Sequence, residues 1–246
     1  MSRGRLIIAL VVSGALVGFL IWLPARFFAA LLPAGVQCSE LSGSVWAGQC
    51  TGLSIRGSRS GEVHWQLHRP QWQPFIANLG FVWSPKGGAT ASPSGAGVTG
   101  RIAAGLDGRV ALQIDSAQLS LQALRDAMPA DLTLGPLAAV AGKLESRGLL
   151  IEFDERRQLA ALRGAVELRG TRLLRFNAAI GDFIAEFAGV TGRIKDQGGP
   201  LRLAGEARLT EPGAYTATLR ITPKITGLLP TLPGGAPFEI SVDGRL

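Results

Sequence analysis

The chain is poor in the side chains on which most enzyme mechanisms depend. Its 246 residues include two His, two Cys, two Met and one Tyr, which leaves most catalytic chemistries few residues to work with. Motifs are missing as well. There is no GxSxG, no HExxH, no P-loop, and no GxGxxG opening a helix after a strand. Charge is scarce at 17%, against 47% hydrophobic residues, and that balance excludes a disordered chain. Lysine is confined to Lys86, Lys143, Lys195 and Lys224, and no stretch forms a basic block. A nucleic-acid footprint needs clustered positive charge, so the +7 formal charge does not indicate a nucleic-acid partner.

What the chain does have is glycine and proline, 33 and 14 residues respectively, and one long apolar run. From Leu6 to Leu23 the only polar side chain is Ser13. As a helix these residues span about 27 Å, close to the hydrocarbon thickness of a bilayer. A cleaved signal peptide usually has an apolar region of about 7 to 15 residues followed by a small-x-small site, and neither is clearly met. Gly35-Val36-Gln37 before Cys38 does not resemble a lipoprotein cleavage motif. The expected organisation is a cytoplasmic tail over 1–5, a transmembrane helix over 6–23 and a β-rich domain over 24–246. Arg3 and Arg5 outnumber Arg26 on the other flank, which keeps the N-terminus in the cytoplasm. The +7, less these three arginines, leaves +4 for the remainder, dispersed over the outer domain. Gly14 and Gly18 form a GxxxG, the spacing that allows two membrane helices to approach closely and makes a homodimer conceivable.

On the outer, oxidising side, Cys38 and Cys50 are the only cysteines, and a structural disulfide is the expected pairing. Redox pairs favour CxxC spacing, and a metal would need ligands this loop lacks. Between them lie Gly43, Trp46 and Gly48, read as a hairpin whose Trp46 covers the disulfide or the core edge. Glu62 to His68 alternates cleanly, placing Val63, Trp65 and Leu67 on one face and Glu62, His64, Gln66 and His68 on the other. On a strand His64 and His68 lie about 13 Å apart, so no metal site is expected from them. Trp46, Trp65 and Trp72 are assigned to the core rather than to contacts.

Beyond a low-complexity loop at about 84–97, short alternating runs recur between turn signals such as Asp107-Gly108, Gly198-Gly199-Pro200 and Glu211-Pro212-Gly213. This describes an antiparallel meander, hence a mainly β fold with few short helices. One helix is expected at about Ser120 to Met128, capped by Ser120 and stopped by Pro129. A second is expected between about Leu173 and Phe187, where broken strands fit as well. A long sheet with one apolar face must cover it: it can close, form a sandwich, curl into a groove or open barrel, or dock on a partner. Asp154, Glu155, Asp182 and Glu186 are the carboxylates that could pair for acid–base work, with Asp182 and Glu186 on one helix face if that segment is helical. Nothing orients a substrate beside them, and an enzyme is not expected.

Several segments together resemble the N component of bacterial type II secretion systems. They are Leu41-Ser42-Gly43-Ser44-Val45-Trp46-Ala47-Gly48, Val63-His64-Trp65-Gln66-Leu67 with Pro70, the Leu162–Leu168 strand and Phe238–Gly244. The resemblance implies a single-pass inner-membrane protein with a periplasmic domain, no cofactor, no enzymatic activity, and other inner-membrane secretion components as partners. The family is also similar to AsmA-like envelope proteins. That similarity implies an alternative, a lipid-binding or lipid-transfer module whose curved sheet holds lipid in a groove.

Overall fold

The computed structural model describes residues 24–26, 35–68, 77–85, 96–127, 139–174, 178–211, 214–224 and 238–245. The apolar run Leu6–Leu23, Gly14, Gly18, Trp72, Pro129 and most of the 84–97 loop lie outside them. No helix among the described residues is long and apolar enough to cross a membrane.

The alternating runs become thirteen strands. In chain order they are β1 (Val36–Gly43), β2 (Ala47–Ile55), β3 (Ser58–His68), β4 (Ala77–Ser84), β5 (Gly97–Ala104), β6 (Val110–Ser120) and β7 (Val140–Phe153). The second group is β8 (Leu159–Leu173), β9 (Ala178–Gly189), β10 (Thr191–Gly198), β11 (Leu201–Glu211), β12 (Ala214–Pro223) and β13 (Phe238–Arg245). Every strand pairs antiparallel with the next in sequence, in one open sheet ordered β1 through β13. In this meander the ends of the odd-numbered strands and the starts of the even-numbered ones lie along one rim, the near rim, and the opposite strand ends form the far rim.

Among the described residues one helix forms, α1 (Leu121–Ala127). Ser120 starts it as the sequence suggests: its hydroxyl accepts the Ala123 N–H at 3.0 Å, satisfying one of the orphan donors of the first turn. Among the described residues the helix expected between Leu173 and Phe187 does not form, and the strand alternative holds: Leu173 ends β8 and Ala178–Phe187 belong to β9, because Ile180 and Phe183 are needed on the buried side of a ladder that pairs both flanks of β9.

The sheet is not flat. β11 contacts β8 across the two intervening strands, so this part curls strongly around an axis along the strands. A bulge helps it turn. The β8–β9 register slips between Leu168 and Thr171, with Gly170 at φ +59° and Gly181 at φ +117°, backbone angles that side-chain-bearing residues rarely adopt. The Thr171 hydroxyl donates to the Gly181 carbonyl there, and Thr171 is fully buried.

Two apolar clusters sit on the inner face. In the first, Val98, Ala117 and Leu119 are buried with Phe81, Trp83, Ile114 and Leu144 around them, and Leu124 of α1 as a lid. In the second, Ile180, Phe183 and Leu201 are buried among Val140, Leu168, Leu173, Leu203 and Ile221. The helix covers one, and the curl covers the other.

Candidate functional site

In an antiparallel ladder directly opposed residues share a face, so the register traces each face across the sheet. One row runs Val63, Trp83, Val98, Ala117, Ser146, Val166, Ala185, Ile194, Gly205, Leu219, Ile240 from β3 to β13. Its one hydroxyl, Ser146, is buried and donates to the Ala165 carbonyl at 2.7 Å. A neighbouring row carries Trp65, Phe81 and Ile114. The result is an apolar surface continuous over most of the sheet, the most coherent feature the described residues offer as a functional site.

Glycines set the shape of that surface. A Cβ on Gly48 would fall inside the indole of Trp65, its cross-strand neighbour. A Cβ on Gly192 would lie 2.8 Å from the Phe187 ring. Each ring occupies the space that a side chain on its neighbour would need. Trp65 is fixed further by its indole N–H, which donates to the Val45 carbonyl at 3.2 Å, while Trp83 donates to the Ser60 carbonyl at 3.1 Å.

The opposite face is polar and laced with ion pairs between neighbouring strands: Arg101–Asp115 at 3.1 Å, Arg163–Glu152 at 3.3 Å, Arg193–Glu206 at 3.5 Å and Arg220–Glu239 at 3.4 Å. Exposed pairs of this kind contribute about 0.2–1 kcal/mol each at most. Glu145 and Glu167 oppose each other directly, and Arg169 bridges both at 3.5 and 2.5 Å. The hydrogen bond to Glu167 is the main reason its guanidinium is held above its ordinary pKa. One charge breaks the pattern. Asp196 opposes Phe183 on the apolar face and is matched there by the Lys224 ammonium at 2.8 Å. That hydrogen bond holds the Asp196 carboxyl below its usual pKa, against the opposing effect of burial.

At the near rim the apolar face opens into a cleft of about 180 Å³, bounded by Leu159, Leu162, Phe187, Val190, Leu209 and Tyr215. Its lining is almost entirely hydrocarbon. Such a cleft can hold an apolar chain.

The residues singled out from sequence separate into structural and solvated roles. Cys38 and Cys50 form the disulfide, with Cα atoms 5.7 Å apart, tying edge strand β1 to β2. Gly43 ends β1 at φ +91°, where an added Cβ would collide with the backbone of Ala47 and Gly48. Trp46, expected at the core edge, is 41% exposed at the hairpin tip. Trp65 takes the cross-strand position over Gly48, leaving Trp46 outside. His64 and His68 lie on the polar face, both exposed, with the His68 ring over Gly80.

Of the candidate carboxylates, Asp154 and Glu155 line a polar recess with Arg109, Arg156 and Glu211, while Asp182 and Glu186 lie apart from them on β9. Asp154 closes the β7–β8 turn by accepting the N–H groups of Arg156 and Gln158 at 2.9 and 2.8 Å. Asp182 accepts the Gly170 N–H at 2.7 Å, and Glu186 pairs with Lys195 at 3.0 Å. Among the described residues no group of three or more His, Cys, Asp or Glu side chains is placed to hold a metal ion. Sequence reasoning missed the rim cleft. Leu159, Val190 and Tyr215 sit at the ends of three different hairpins, and only the curl brings them together.

Against known proteins, the chain matches the family described as Type II secretion system (T2SS), protein N over residues 34–227. The match spans most of the chain and nearly all of the sheet, and the chain belongs to that family. No curated protein and no solved structure matches it.

Proposed function

We propose that this member of the type II secretion protein N family is an accessory inner-membrane subunit of the secretion machine, a bitopic scaffold supporting export of folded proteins from the periplasm across the outer membrane. Residues 1–5 are cytoplasmic, 6–23 span the membrane, and 24–246 form the periplasmic domain. The family match over 34–227 carries this reading. A sheet with one polar and one apolar face suits a part that organises others. Its partners are other inner-membrane secretion components, and Gly14 and Gly18 offer a face for pairing two copies within the bilayer. The test is a deletion strain complemented with the full chain. Secreted protein is expected to accumulate in the periplasm without the chain and to be exported with it, and the tagged chain is expected to co-purify with inner-membrane secretion components. Undiminished export in the deletion strain, with no such co-purification, would refute the scaffold.

A second reading, a periplasmic lipid-binding or lipid-transfer module, is favoured by one observation, the hydrocarbon-lined cleft at the near rim. Native mass spectrometry of the detergent-purified chain tests it: phospholipid adducts support the reading, and a consistently empty protein counts against it.

A further inference from the structure

Two observations point to the same rim of the sheet. The first is where the apolar run ends. Pro24 follows directly on Leu23, with no linker between the run and the sheet. It forms a β-bridge with Ser44, the Ala25 N–H donates to the Gly43 carbonyl at 3.1 Å, and Ala25 is 1% exposed. The run is therefore delivered to the near rim, at the end of β1. Since a residue spans about 3.3–3.6 Å at full extension, the rim at Ser44 lies within a few ångströms of the end of the run.

The second observation is what that rim exposes. Hairpin tips are ordinarily polar, yet Leu106 is 76%, Val190 47% and Trp46 41% exposed, on the turns after β5, β9 and β1. Toward the far rim the described residues expose Leu174 at its turn, with Val82 and Ile240 on strand faces two residues in from the far ends of β4 and β13. The charges of the near rim largely cancel. Asp107 pairs with Arg109 at 3.4 Å, and Asp154 and Glu155 stand beside Arg156 and Arg157. A contact made there is driven by apolar insertion, and tryptophan is a side chain favoured at the level of lipid headgroups. The hydrocarbon-lined cleft opens at this same rim.

We propose that the near rim is a membrane-docking surface. The strands stand on the outer leaflet of the bilayer that holds residues 6–23, Trp46 and Leu106 enter its headgroup region, and the cleft beside Val190 faces phospholipid acyl chains. The proposal rests on the reading of 6–23 as a membrane span, and the experiment separates the two.

The full chain is placed in nanodiscs of phosphatidylethanolamine and phosphatidylglycerol with a photoreactive residue at Leu106 or Val190, or at Leu174 or Gln197 on the far rim. A parallel sample in vesicles of the same lipids is washed with alkali to test the anchor. Phospholipid adducts several-fold more abundant at Leu106 and Val190 than at Leu174 and Gln197, in a chain that resists extraction, support the proposal. Equal yields at the two rims, a reversed ratio, or adducts to protein alone overturn it while the anchor stands. If alkali releases the chain but the near-rim lipid adducts persist, the membrane span is wrong and the docking rim survives. Release with no near-rim adducts defeats both.

Discussion

The two halves of the sheet hold their apolar face against water by different means. From β1 to β6 the solution is bulk and staples. Trp65 and Trp83 stand on the inner face, locked by indole hydrogen bonds, the edge strand is tied by Cys38–Cys50, and α1 lies over the first core cluster. From β8 to β13 there is no tryptophan and no disulfide. This half covers itself by curling until β11 meets β8, with Leu, Ile and Phe side chains interdigitating and cross-strand ion pairs on the convex side. A sheet can thus protect one face by adding a layer or by bending. Bending demands glycines at the bulges and leaves the rims open.

The largest effect expected from breaking this contrast is in the curled half. Phe183→Ala removes a buried ring from the centre of the second cluster, with a loss of about 3–5 kcal/mol. Amide exchange should accelerate across β8–β12 while the Trp65 and Trp83 region stays protected; uniform acceleration would show that the halves are not separable. Next comes the stapled half. Cys38→Ser opens a 13-residue loop, costing about 3 kcal/mol in the chain-entropy model, with faster proteolysis near β1 and little change near β11. Unchanged stability, together with free thiols in the native wild type, would remove the staple from the comparison.

The smallest effect concerns Asp196 and Lys224. Because the Lys224 hydrogen bond lowers the Asp196 pKa below its ordinary value of 3.8, the pair stabilises the fold fully above that pH and loses its effect as pH falls through the lower folded value. The difference in thermal midpoint between wild type and Asp196→Asn should therefore shrink on acidification below 3.8. A difference independent of pH would mean that Asp196 acts through packing alone.

Much of the fold is legible in the sequence because a strand writes its two faces in alternate residues. Val63-Trp65-Leu67 and Val110-Leu112-Ile114 announce their inner faces directly, and Ser120 announces α1. The segment from Leu173 to Phe187 misleads because β9 contains the bulge at Gly181, where the period of two is interrupted and a helical spacing fits as well. Asp196 is opaque for another reason: its partner Lys224 is 28 residues away, two strands on.

By itself the sequence determined the antiparallel meander of alternating strands, the disulfide and the helix cap, all of which depend on neighbours in the chain or on residue inventory. Only the tertiary structure decided that the sheet stays open and curls. It also decided that the cleft forms at one rim and that this rim receives the end of the apolar run. Those outcomes depend on register and bulges summed over many strands, and no local pattern encodes the sum.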